Sequence, residues 1–209
     1  MRNNKTRFLT QFSALFAILI LFCFTPLGAL PAFGPIVATL GMIPVILTAQ
    51  LLGTKAGAWM GFFAGLFSLM VWTFMPPSPI VAFVFTPFYS VGVVGGNFGS
   101  VLISLVPRIL TGMVAGLSYS RLSQAFPTKQ VLCLSLSAVL GSLTNTLGVM
   151  GGIWLFFGDA YASILGEIML LIIGTTILTS GIPEAIVSAI ASSAVCRPIQ
   201  TMFLRDRSV

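Results

Sequence analysis

Residues 164–203 read ILGEIMLLIIGTTILTSGIPEAIVSAIASSAVCRPIQTMF, and the number of times this stretch crosses a membrane decides the topology of the chain. Two apolar pieces, 164–178 and 182–203, flank the breaker Thr179-Ser-Gly-Ile-Pro183. Two crossings here would make seven spans in all; one would make six. Lys and Arg near span ends favour the cytoplasmic side. With the N-terminus inside, Arg2, Lys5, Arg7, Lys55, Arg121 and Lys129 fall inside, and a single final crossing adds Arg197, Arg205 and Arg207. Nine of the 10 basic residues then obey the rule, with Asp159 outside. A seventh crossing would leave three arginines outside. An outer half-helix or surface helix is therefore expected over 164–178, and the last span over 181–203.

Composition supports a membrane setting for the rest. The 209 residues are 57% hydrophobic and 7% charged, against roughly 25% charged in a soluble domain. At about 20 apolar residues per crossing, six spans fill the chain as one domain, 1–209, with no room for a soluble nucleotide-binding module. The expected spans are 8–27, 36–52, 58–75, 101–122, 131–157 and 181–203, with an outer loop over 76–100. This is an all-α membrane fold with both termini cytoplasmic. The run from Phe8 is longer than a signal-peptide core and lacks a clean cleavage site, so a retained first helix is expected. The 26–35 loop is rich in Pro and Gly.

With no His, a Ser-His-Asp triad, a His-based zinc site and a His general base are excluded. No catalytic residue and no metal ligand set is assigned. Cys23, Cys133 and Cys196 sit far apart in apolar stretches and read as buried thiols. The excess of +6 forms no clustered patch of the kind a nucleic acid needs.

Gly53, Gly57, Gly61 and Gly65 recur every fourth residue and line one helix face, where close packing within the chain is favoured over a subunit contact. Residues 76–100 carry Pro76, Pro77, Pro79 and Pro87 yet no charge. An apolar loop cannot sit exposed in hydrocarbon, so it folds back as a lid or packs as a hairpin or partial helix.

Arg108 does not fit the loop pattern of the other cations. It lies about seven residues into the fourth span, hence ~10 Å below the outer boundary, where an Arg costs at least ~2.5 kcal/mol. It is either an anchor for a carboxylate or phosphate, or a structural charge that pairs or snorkels outward. Glu184, near the outer end of the last span, sits at similar depth and could pair with Arg108, bind the other end of one ligand, or do both in turn. Asn145, between Thr144 and Thr146, needs partners for a buried amide, from a neighbouring helix or a ligand. Glu167 reads as a solvated outer residue. Trp59, Trp72 and Trp154 read as packing or interfacial anchors. The polar groups thus gather in spans four to six, whereas the N-terminal spans offer small residues on one face: Ser13, Ala14 and Ala17. The candidate substrate-binding residues are Arg108, Thr144, Asn145 and Glu184, and the candidate docking residues are Ser13, Ala14 and Ala17.

In its basic start, Met42-Ile-Pro-Val45, Leu52-Gly-Thr-Lys-Ala-Gly57, Pro107-Arg-Ile-Leu-Thr-Gly112, Gly141-Ser-Leu-Thr-Asn-Thr146 and Gly181-Ile-Pro-Glu-Ala185, the chain resembles the S components of energy-coupling factor (ECF) vitamin importers. These motifs carry the resemblance jointly, by order and spacing, over nearly the whole length. Ser13 and Ala17 are similar to the family's Ala-xxx-Ala docking motif, with Ser replacing the first Ala. The resemblance implies a six-helix subunit of the cell membrane that captures a water-soluble vitamin at the outer side. It further implies delivery with a membrane coupling subunit and two cytoplasmic ATPases, so that ATP is used by the partners and no cofactor by this chain. The pattern is closest to the pantothenate and riboflavin type, and an Arg facing a carboxylate suits pantothenate. Two other readings compete. A self-sufficient proton-coupled carrier of a small organic anion would use Glu184. An intramembrane enzyme would need a nucleophile and base that the composition does not offer.

Overall fold

The computed structural model describes residues 2–25, 40–92, 94–166 and 168–205. The 26–35 loop, residues 36–39 of the expected second span, Glu167 and Arg207 lie outside the described residues. Seven helices follow in order: α1 (Arg2–Phe24), α2 (Met42–Leu52), α3 (Thr54–Phe74), α4 (Phe98–Ala125), α5 (Gln130–Leu165), α6 (Met169–Thr176) and α7 (Ile182–Arg205). Among the described residues, five runs are long and apolar enough to cross a membrane: Lys5–Phe24, Thr54–Phe74, Phe98–Ala125, Gln130–Ile164 and Met169–Ile199. The described part of α2 rises only ~16 Å. It is sunk among the others, with Val45, Ile46, Leu47, Ala49 and Gln50 buried.

The bundle is held by close antiparallel crossings at glycines. A methyl group on Gly57 would strike Ala49 and Gly112, on Gly61 the carbonyl of Arg108, and on Gly65 the backbone of Ser104. The glycine face of α3 is thus filled by α2 and α4, and Gly53 makes the preceding turn at φ 95°. On α5, Gly141, Gly148 and Gly152 meet Ala115, Pro107 and Ile103 of α4, while Gly181 meets Thr146 of α5. These pairs bring Arg108, Asn145 and Glu184 within about one helical turn of a common level.

Three stretches differ from the expected boundaries. The fourth helix begins at Phe98 rather than 101, because Asn97 caps it: Gly99 N–H donates to Asn97 Oδ1 at 2.7 Å and Asn97 N–H to Ser100 Oγ at 3.1 Å. The fifth helix continues past Gly158-Asp159 to Gly166, whose left-handed φ of 68° ends it. Helical Gly costs about 1 kcal/mol; buried Tyr161 and Phe157, beyond and before it, anchor the last turns in the outer core. Third, the half-helix expected over 164–178 does not stand apart from the last span. Residues Ile177–Gly181 form a π-helical turn that joins α6 to α7. The Ile182 N–H bonds Ile177 O, and this wider winding lets the chain stay helical through Pro183, which has no N–H to donate.

Residues 76–92 and 94–97 include a 3₁₀ helix, Pro79–Val84, and a short antiparallel hairpin pairing Ser90 with Gly95 and Val91 with Val94. The 3₁₀ segment is inside the protein, with Val81, Ala82, Phe83, Val84 and Phe85 all buried. Ser100 Oγ donates to Phe83 O at 2.7 Å and Ser104 Oγ to Phe85 O at 2.6 Å, so two hydroxyls of α4 satisfy carbonyls that hydrocarbon could not. Phe85 stacks on Trp72 with centroids 4.4 Å apart.

Candidate functional site

Arg108 lies ten residues into α4, so ~15 Å along its axis, farther from the helix start than expected because the helix begins earlier. Its place follows from the residue before it. Pro107 has no N–H, so the carbonyl of Ile103, one turn earlier, loses its helical donor. Arg108 supplies a replacement: Nη1 donates to Ile103 O at 2.7 Å. Nη2 donates to Ser68 Oγ of α3 at 3.2 Å, and the guanidinium carbon stands 5.9 Å from the centre of the Phe85 ring. The side chain is only 8% exposed, and Nε has no hydrogen-bond partner.

Glu184 is 5% exposed, and its Oε1 also lacks a partner. It lies within electrostatic reach of Arg108. Among the described residues no hydrogen bond joins the two; the guanidinium bonds go to Ile103 and Ser68. Asn145 shares the α5 face of Gly141, Gly148 and Gly152, which is turned to α4, and its buried Oδ1 is unpartnered. Thr146 is buried against Gly181 and bonds Ser142 O at 3.4 Å. Thr144 is half-buried, and its hydroxyl donates to Leu140 O at 2.7 Å on its own helix.

Sequence reasoning missed Ser142, Thr176 and Ser188. All three are buried, with hydroxyls that have no partner. One signal was readable: Thr176, Ser180, Glu184, Ser188 and Ser192 recur every fourth residue, and all five are buried. Four residues overturn an α-helix by about 40°, so a straight helix would swing this stripe out of the core. The wider π turn between Thr176 and Ile182 offsets that drift. Lower in the bundle the same stripe is fully bonded. Gln50 Nε2 donates to Leu134 O at 3.0 Å and Ser137 Oγ at 2.8 Å, while its Oε1 accepts from Ser192 Oγ at 2.5 Å and Cys196 Sγ at 3.4 Å.

Buried polar groups are ordinarily satisfied, and each exception asks for a reason. Here one nitrogen of a fixed cation, one carboxylate oxygen, an amide oxygen and the hydroxyls of Ser142, Thr176 and Ser188 stand without partners along the facing sides of α4, α5, α6 and α7. They form an array suited to a small molecule bearing a carboxylate and neutral donors and acceptors. No group of three or more His, Cys, Asp or Glu that could hold a metal occurs among the described residues.

On α1, Ser13, Ala14 and Ala17 are exposed, whereas Leu15 and Leu19 turn into the bundle. Trp59 and Trp154 are exposed and Trp72 is buried; Cys133 and Cys196 are buried and Cys23 half-buried, all three free thiols.

The chain matches the family model described as "ECF transporter, substrate-specific component" over residues 7–196. It is 30% identical over 164 residues to the pantothenic acid transporter PanT of Lactococcus lactis subsp. cremoris, covering 77% of this chain and 76% of that one. It is 29% identical over 197 residues to the pantothenate transporter PanT of Leuconostoc mesenteroides, covering 88% and 78%. The S-component for biotin from an ECF-type ABC transporter shares its fold, with a TM-score of 0.57 at 16% identity over 94% of each chain.

Proposed function

Since the chain belongs to the substrate-specific components of ECF transporters, non-enzymatic multi-pass membrane proteins of vitamin uptake, we propose that it captures pantothenate. The observation that carries this is Arg108, buried, held by Ile103 O and Ser68 Oγ, and left with an unpartnered Nε beside further orphaned acceptors. Arg108 would take the vitamin's carboxylate. Glu184 would accept from its hydroxyls, Asn145 would meet its amide, Ser142 and Ser188 would complete the set, and Thr144 would flank Asn145 at the edge. Two relatives named as pantothenate transporters support this choice of vitamin.

The rest of the reading is a six-span subunit with both termini cytoplasmic and the site opening outward. Ser13, Ala14 and Ala17 on the free face of α1 would dock a membrane coupling subunit, and two ATPases would supply the energy, so this chain uses no cofactor itself.

The test is calorimetry of purified protein with pantothenate and no ATP. Wild type binds, and Arg108→Ala lowers affinity about 10- to 100-fold, the size of one lost hydrogen bond to a charged group, while membrane expression changes less. An unchanged affinity would make Arg108 structural. Liposomes holding this chain alone should show no sustained uptake; ATP-free uptake that stops when the proton gradient is collapsed would instead favour a carrier working through Glu184.

A further inference from the structure

A second place in the molecule has the chemistry of a binding site, at the other end of α5 from the 3₁₀ segment. A groove of about 570 Å³ is lined by Thr128, Lys129, Val131, Ser135, Leu136 and Arg197, among others. It lies where the apolar run of α5 begins at Gln130 and that of the last helix ends at Ile199, so at a membrane boundary.

Its polar end holds two cations from different elements and no acidic residue. Lys129 and Arg197 are both exposed. Lys129 also opens α5, whose first turn has no side-chain cap; a helix start carries partial positive charge. Above the cations runs the seam between α5 and α7, closed by the Ser135 and Ser193 hydroxyls 3.3 Å apart. Apolar ridges flank this seam and face outward: Leu132, Leu136 and Leu140 on α5, Ile190 and Ile186 on α7. A soluble anion would use the cations alone. Only a molecule with an anionic head and a hydrocarbon tail uses the cations and the ridges together.

We propose that this groove seats the phosphate of an anionic phospholipid between Lys129 and Arg197, with an acyl chain along the ridges of the α5–α7 seam. Basic pockets between membrane helices suit such head groups. The site is separate from the Arg108 layer and does not depend on its ligand.

Native mass spectrometry of the full chain, in detergent supplemented with equal amounts of phosphatidylglycerol and phosphatidylcholine, tests this. Wild type retains phosphatidylglycerol preferentially. Lys129→Gln and Arg197→Gln each cut that preference about fivefold, and the double variant abolishes it. Exchanging the cations (Lys129→Arg with Arg197→Lys) preserves it, and a thermal melting curve in detergent, unchanged in every variant, reports an intact fold. Glycerol phosphate at the same concentration fails to displace the lipid. Equal retention of both lipids by wild type, a preference that survives the double substitution, or displacement by glycerol phosphate would each overturn the proposal.

Discussion

Arg108 and Pro107 work as a pair. The proline removes a backbone donor and the arginine replaces it, so the guanidinium is aimed by a defect in its own helix. This gives a prediction with two opposite signs. Pro107→Ala restores the N–H to Ile103 O. An interior helical proline costs about 3 kcal/mol, so the variant should melt higher. With Ile103 O taken, Arg108 loses its nearest anchor, and ligand affinity should fall about three- to tenfold. Thermal melting and calorimetry on one sample check both signs; a higher melting temperature with unchanged affinity would show that the Ile103 bond does not position the guanidinium. Arg108 and Glu184 were legible in the sequence because a charge in an apolar run is costly wherever it points. Ser142 and Ser188 were not. A helical serine ordinarily bonds its own helix, as Ser118 bonds Val114 O at 2.5 Å, and its letter does not tell whether it does.

At the scale of elements, the glycine periodicity on α3 was readable, but its partner was not. The partner is backbone: the carbonyl of Arg108 faces Gly61. Backbone cannot step aside as a side chain does. Gly61→Ala should therefore destabilise by roughly 1–3 kcal/mol, despite the better helix propensity of Ala. Gly151 has no atom within 4 Å of an added methyl, so Gly151→Ala should leave the melting temperature unchanged or raise it. Melting curves of the two variants decide; equal shifts would mean that the α3–α4 contact is loose. The junction at Thr179–Pro183 shows why breaker residues alone misplace a boundary. Gly181 and Pro183 can end a helix, but a π turn lets them bend its winding instead, and the buried stripe from Thr176 to Ser192 favours continuation.

For the whole molecule, charge asymmetry is the organising feature. Lys129 and Arg197 meet in one groove at a single end of the bundle, while the 3₁₀ segment packs on the opposite ends of α4 and α5. If the basic end is cytoplasmic, a membrane-impermeant thiol reagent on intact cells labels Ser90→Cys in the hairpin, and labels Thr128→Cys only after permeabilisation. The reverse order would invert the topology. Both positions are exposed, Cys133 and Cys196 are buried, and half-buried Cys23 is replaced by Ala in the parent chain so that the background stays low.

By itself the sequence determined the solvent, the helical class, the family resemblance and the two charges left inside, because moving a charge or a polar backbone group into lipid is costly enough for those groups to stand out before any neighbour is known. Only the tertiary structure decided which hydroxyls and amides lack partners, that the 3₁₀ segment is buried, and that the last two apolar pieces are one helix. Satisfaction of a polar group is a property of the facing surface. That surface is set by helices far apart in the chain, as where Gln50 closes its bonds on Ser137 and Ser192.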